Sequence, residues 1–250
     1  MSLDLTDWHQ RFIQQARWTQ DLRRYLFERA RLTRASRTLE VGCGTGALLE
    51  SCLDSSYLHG LDISAPHLYL ARFHAPRALL VQGDAHALPY APASFDLTFC
   101  HFLLLWVKQP ENVIAEMVRI TRPGGSVLAL AEPDYGGRID FPDELAKLAN
   151  LQQTALRRQG ADPLIGRRLA SIFASAGLQQ IETGVLGGQW QGSPSKQDWE
   201  NEWQVLLEDI GADLPASELE SLRQHDHKAW LEGSRVLFVP TFYAWGRMKA

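Results

Sequence analysis

Cysteine is scarce in this sequence: Cys43, Cys52 and Cys100 are the three in 250 residues. Their spacing fits no metal-ligand pattern, and each sits in apolar or glycine-rich surroundings. That predicts reduced thiols and a cytoplasmic setting, and argues against a disulfide scaffold. Basic charge is not in excess either. Lys and Arg number 25 against 29 Asp and Glu, a net charge of −4. A surface built to hold nucleic-acid phosphates is therefore not expected. Long apolar runs are also missing. The longest, Phe99 to Val107, is broken by His101 and is far shorter than the ~18 residues of a membrane span. The start of the chain is polar, with Asp4 and Asp7, so no signal peptide is expected. There is no internal repeat and no low-complexity tract. What is present is ordinary globular composition, 45% hydrophobic and 22% charged, with length for one large core or a core plus a cap.

The hydrophobic pattern changes period along the chain. Trp8, Phe12, Ile13, Trp18, Leu22, Tyr25 and Leu26 recur at helical spacing and predict a helical segment over 5–32. Short apolar runs then alternate with helical patterns. Strands are expected at 37–41, 58–62, 78–82, 95–101 and 126–131, with helices at 47–53, 64–74 and 111–120. Such alternation means a mostly parallel sheet with right-handed crossovers. Beyond residue 135 the rhythm shifts to helices at 141–159, 166–176, 199–210 and 217–232, with strands at 180–186 and 235–245. The 195–232 insert falls between the last two strands and is expected to cap the carboxyl edge of the sheet together with the N-terminal helix.

Chemistry concentrates where the first strand ends. Leu39-Glu40-Val41-Gly42-Cys43-Gly44-Thr45-Gly46 loses its side chain at three alternate positions. Glycine is used where φ must be positive or where a ligand must approach the backbone, and a strand, a glycine turn and a helix make a nucleotide site in parallel α/β sheets. Asp62 follows 20 residues after Gly42, at the end of the second strand. Gly83-Asp84-Ala85 follows the third strand. Phe95-Asp96-Leu97 opens the fourth, and Arg122-Pro123-Gly124-Gly125 precedes the fifth.

In register, these four features resemble the class I S-adenosylmethionine-dependent methyltransferases, in their small-molecule branch (methyltransferase domain 11/25-like). The resemblance covers residues 37–132 and extends loosely to the C-terminus. It implies an α/β, Rossmann-like fold: a seven-stranded, mostly parallel sheet with an antiparallel last strand, helices on both faces and a helical cap. A single domain is expected, with a cap at 1–33, a cofactor-binding core at 34–135, and C-terminal helices and strands at 136–250. The cofactor would be S-adenosyl-L-methionine, leaving as S-adenosyl-L-homocysteine. The resemblance implies that Asp62 takes the ribose hydroxyls, Asp84 the adenine amino group and Ala85 the ring through its amide, while Ile63 packs on an adenine face. Gly42, Cys43, Gly44 and Gly46 would admit the methionine portion, and Glu40 suits a ligand carrying an ammonium and a sulfonium. Trp18 or Tyr25 is expected to close the site.

Methyl transfer from a sulfonium is an in-line displacement, so alignment of the acceptor matters most. The acceptor should enter beside His101 at the end of strand four. His101 is the first candidate for a general base, with a pocket-lining role as the alternative. Tyr135, Glu132 and Asp134 follow. Asp96 and the Arg122–Gly125 turn read as structural. The eight tryptophans favour an apolar or aromatic small acceptor if some of them line the cleft. No metal, nucleic acid or membrane span is expected, and the protein should be a monomer or homodimer. Two other readings remain: a non-catalytic S-adenosylmethionine-binding regulator, and a nicotinamide oxidoreductase using the same turn.

Overall fold

The structure is a computed structural model that describes residues 4–51, 57–186 and 196–250. Cys52, Trp190 and the first residue of the 195–232 insert lie outside them. The chain opens with α1 (Leu5–Trp18) and α2 (Gln20–Arg29), two helices where the periodicity predicts one. Asp4 starts α1 through a capping box with Asp7. The break falls at Thr19 because side chains take over the helix-end carbonyls. The Thr19 hydroxyl donates to the Ala16 carbonyl at 3.2 Å, and the Arg23 guanidinium donates to the same carbonyl and to Thr19 Oγ1.

The central alternation follows as β1 (Arg37–Val41), α3 (Ala47–Ser51), β2 (Tyr57–Asp62), α4 (Ala65–His74), β3 (Leu79–Gln82), β4 (Phe95–Cys100), α5 (Pro110–Ile120) and β5 (Thr121–Pro133). β1 is buried on both faces from Thr38 to Val41, as a central parallel strand must be. α5 starts on Pro110 and buries Val113, Ile114, Met117 and Ile120, one stripe at helical period. β5 runs longer than the expected 126–131. The Arg122–Gly125 turn is absorbed as a bulge between the Phe95–Thr121 and Leu97–Ser126 pairs.

Next come β6 (Ile139–Phe141), α6 (Lys147–Arg158), α7 (Leu169–Ser175), β7 (Gln179–Leu186), α8 (Lys196–Ile210), α9 (Ala216–Leu231), β8 (Val236–Phe238) and β9 (Thr241–Arg247). The helix expected over 141–159 begins six residues late. Phe141 precedes Pro142, which disfavours the helical region, and β6 pairs with β8 in a separate two-stranded ribbon. Pro240, which has no N–H to donate, lies between β8 and β9 and divides the expected final strand.

The main sheet has the order β3-β2-β1-β4-β5-β9-β7. β9 is antiparallel to both neighbours and the other pairs are parallel. This is the seven-stranded Rossmann-like sheet that the alternation implies. β5 feeds both of its faces: Val127 and Ala129 join a core with α5 and α7, and Leu128 and Leu130 one with α2 and Trp245. A third cluster packs α6, α8 and α9 around Trp199, Trp203 and Leu206. Its polar centre is Asp226, which accepts from the indoles of Trp199 (2.6 Å) and Trp203 (2.8 Å) and from Arg235 Nε (2.5 Å). Arg235 also meets Asp140 at 2.6 Å, tying the cap helices to the ribbon. Among the described residues no helix is long and apolar enough to cross a membrane.

Candidate active site

The carboxyl ends of β1, β2 and β4 open into one cavity of ≈ 1320 Å³. Open α/β sheets place their ligands at this edge. The volume exceeds the ~300–1,000 Å³ usual for one small ligand, which leaves room for a cofactor and an acceptor together.

The floor is the glycine turn. Gly42, Gly44 and Gly46 all take positive φ, but they serve different contacts. A Cβ on Gly42 would sit 2.8 Å from the Leu103 side chain at the cavity wall. Gly46 instead faces α4, where a Cβ would meet Ala71 and Ala75 at 3.2–3.3 Å. It is outside the cavity lining, so its placement is one of helix packing and not of ligand contact. Phe12 of α1 lies over Gly44. His9 Nδ1 is 2.7 Å from Thr45 Oγ1, and its ring stacks on His74 at 3.6 Å. These contacts dock α1 onto the turn.

Two carboxylates flank the floor. Asp62 accepts from Gly44 N and Ser64 N, both at 2.8 Å, and faces the cavity with acceptor capacity to spare. Glu40 is 3% exposed, and its buried Oε2 has no hydrogen-bond partner. Burial pushes its carboxyl up to about 8, against the pull of the Arg23 guanidinium, with the Asp62 charge adding to the rise. An acid with one unpartnered oxygen in a cavity wall, beside a turn stripped of side chains, fits a cationic ligand.

The next wall is the segment after β4. Glu132 is fully buried and accepts from the amides of Leu103 and Leu104 at 3.0 Å and Leu105 at 3.2 Å. It thereby caps the 3-10 turn Leu104–Trp106. Burial raises its carboxyl to about 7 in spite of those donors. This makes it a holder of the wall and not a base open to substrate. His101 lines the cavity with Nε2 at 3.2 Å from Thr19 Oγ1. Burial, helped by the nearby Arg23 charge, pushes its pKa down to about 3. A general base works best near the operating pH, and a ring pushed that low is a weak base held neutral in the cavity wall. Tyr135 also lines the cavity, and burial lifts its phenol to about 12. A phenol raised that far is neutral at ordinary pH. Asp134, another candidate, is buried and paired with Arg167.

The roof comes from α1 and α8. Trp8, Arg11, Phe12 and Gln15 face Gln204, Val205, Leu207, Glu208 and Asp209 across the space. Arg11 meets Glu202 at 2.5 Å, and Gln14 donates to Asp198 at 3.3 Å. The residues of α9 do not line the cavity; that helix supports α8 from behind.

Glu40, Gly42, Cys43, Gly44, Asp62, Ile63, His101 and Tyr135 are therefore brought together. Ile63 is 69% exposed at the rim. Asp84 and Ala85 fall outside the lining, at the carboxyl end of the neighbouring strand. Asp84 is bonded to its own turn through His86 N at 2.8 Å and His86 Nδ1 at 2.7 Å, and Ala85 is buried in the main core. Trp18 is not in the lining either. It is 48% exposed beneath the Arg11 guanidinium, 4.9 Å from the ring centroid. The turn at Thr19 carries it outward, and Trp8 and Phe12 occupy the roof in its place. Asp96 holds Arg37 N at 2.6 Å and pairs with Arg122, a structural role as expected. Arg11, Phe12, Gln159 and Asp209 are lining residues that carried no signal in the sequence beyond helical periodicity.

A methyltransferase-domain profile matches residues 39–129. The chain is 33% identical over 126 residues to the demethylmenaquinone methyltransferase of Renibacterium salmoninarum, covering 49% of this chain and 52% of that protein. It is 33% identical over 142 residues to a phosphatidylethanolamine N-methyltransferase of Cereibacter sphaeroides, covering 52% of this chain and 70% of that one. In fold it matches a Haemonchus contortus phosphoethanolamine N-methyltransferase solved with S-adenosyl-L-methionine. The TM-score there is 0.56 at 17% identity, over 88% of this chain and 50% of that one. This chain belongs to the class I S-adenosylmethionine-dependent methyltransferases. It spans about half the length of the first of these relatives. S-adenosylmethionine is the cofactor of the family, and the carboxyls of Glu40 and Asp62 with the bare backbone at Gly42 and Gly44 are a set of groups that fits it.

Proposed function

We propose that this protein transfers a methyl group from S-adenosylmethionine to a small acceptor with an apolar or aromatic body. The observation that carries the reading is a cavity shared by two kinds of lining. It joins Glu40, Gly42, Gly44 and Asp62 to a wall of Phe102, Leu105, Trp106, Tyr135 and Leu156. When bound, the cofactor supplies a methyl group on an already activated sulfonium. The chain's part is then alignment and exclusion of water. Asp62 would accept from the ribose hydroxyls, and Glu40 would offset the ligand's positive charge. Asp84 and Ala85, one strand over, would reach the adenine. Glu132 fixes the segment against which the acceptor rests, and α1 and α8 close the space. His101 and Tyr135 border the reacting region as neutral groups. In this reading residues 34–135 hold the cofactor, and α1 and α8 cover the acceptor side of the cavity. The partner is a small molecule and not a nucleic acid.

Calorimetric titration with S-adenosylhomocysteine tests the cofactor half. One-to-one binding is expected, and no binding at millimolar ligand would remove the proposal. A screen of aromatic and aliphatic small acceptors for S-adenosylhomocysteine release tests the rest.

A further inference from the structure

Resting on that reading, we infer that the acceptor carries a cationic nitrogen, and that Asp209 on α8 is the residue that selects it. Asp209 lies in the roof of the cavity. Its two oxygens are each held by a glutamine amide, Oδ2 by Gln152 Nε2 and Oδ1 by Gln159 Nε2, both at 2.8 Å. Gln152 is itself fixed from behind by Arg138. Amide donors orient a carboxylate and leave its negative charge in place. No ion pair among the described residues includes Asp209. The cations nearby are already engaged: Arg11 with Glu202, and Arg138 with Asp140.

The surroundings suit an organic cation. Tyr135, Trp106 and Phe102 line the same cavity, and aromatic faces attract ammonium groups. The Tyr135 hydroxyl lies within the electrostatic reach of Asp209. Glu208, the next residue of α8, adds a second carboxylate to the lining. Burial pushes the Asp209 carboxyl upward, a cost that an arriving cation would relieve. A purely apolar acceptor would leave that charge to the two glutamine amides and the Arg11 guanidinium alone. An anionic acceptor would have to displace Glu202 from Arg11.

The test uses the full chain saturated with S-adenosylhomocysteine and three probes of similar shape: phenethylammonium, 2-phenylethanol and phenylacetate. The ammonium should bind about tenfold tighter than the alcohol, with phenylacetate weakest. Asp209→Asn should remove the preference and leave S-adenosylhomocysteine affinity unchanged, which also shows that the variant is folded. Glu208→Gln should weaken the preference by less than Asp209→Asn does. Equal binding of the three probes, preference for phenylacetate, no binding of any probe at millimolar concentration, or equal loss in Glu208→Gln would each overturn the inference. Those results would leave the cofactor reading standing, whereas failure of S-adenosylhomocysteine to bind the unaltered protein removes both.

Discussion

Glu40 should make cofactor binding a proton-releasing event. With its carboxyl raised to about 8 by burial, Glu40 in the free protein is protonated at neutral pH. A ligand ammonium placed against it would ionise it. At pH 7 the free protein then holds about 0.9 proton on this group, and binding releases it. Affinity for S-adenosylhomocysteine should rise about 50-fold between pH 6 and pH 8, and level off above that. Isothermal titration in two buffers of different ionisation enthalpy reads the released proton directly. Glu40→Gln should abolish both the release and the pH slope. Its affinity should match the parent protein near pH 6 and fall behind near pH 8. The same substitution bears on stability. A carboxyl whose folded pKa lies above its unfolded value carries no penalty below pH 4.5. Between 4.5 and about 8 the penalty grows with pH, and it is constant beyond. At pH 7 this amounts to at most about 3 kcal/mol, so the glutamine variant without ligand should melt higher. Heats independent of buffer, or a pH slope that survives in Glu40→Gln, would refute the reasoning.

Three further outcomes are expected. Asp62→Ala removes the acceptor for Gly44 N and Ser64 N and should weaken S-adenosylhomocysteine binding by ~10-fold or more, read by calorimetry. The His101 ring should stay neutral between pH 5 and pH 8, because its pKa is pushed down to about 3; ring-carbon NMR shifts that titrate near 6.5 would restore it as a base. Asp226→Ala strips the partner from two buried indoles and Arg235. It should cost about 3–5 kcal/mol in urea unfolding, as loss of one member of a buried ion pair does.

The glycine turn and the acids at the strand ends were legible because local rules write them. Alternating strands and helices set the sheet, and positive φ demands glycine at Gly42. An acid at a strand end needs no distant partner to be recognised, which is why Glu40 and Asp62 stand where the sequence puts them. The roof and far wall of the cavity were not legible, because tertiary pairs define them. Asp209 gains its position from Gln152 and Gln159, more than 49 residues away in sequence. Glu132 looked like a candidate acid and is instead committed to three amides across the wall. His101 had the right residue type in the right place, but burial decides its protonation, and no local pattern reports burial. The helix break at Thr19, fixed by Arg23 four residues on, sent Trp18 away from the cavity that its neighbours Trp8 and Phe12 line.

The Arg11–Glu202 and Gln14–Asp198 bridges join residues of α1 and α8 more than 180 positions apart in the chain. Neither helix is part of the sheet that carries the glycine turn. The roof of the cavity is thus a clasp made by two distant segments, laid over a glycine turn written within one continuous stretch. Such a division lets the two halves vary independently. Exchanging α1 and α8 together, as a matched pair, is the modular route to a different acceptor on the same cradle; exchanging either one singly would unfasten the clasp.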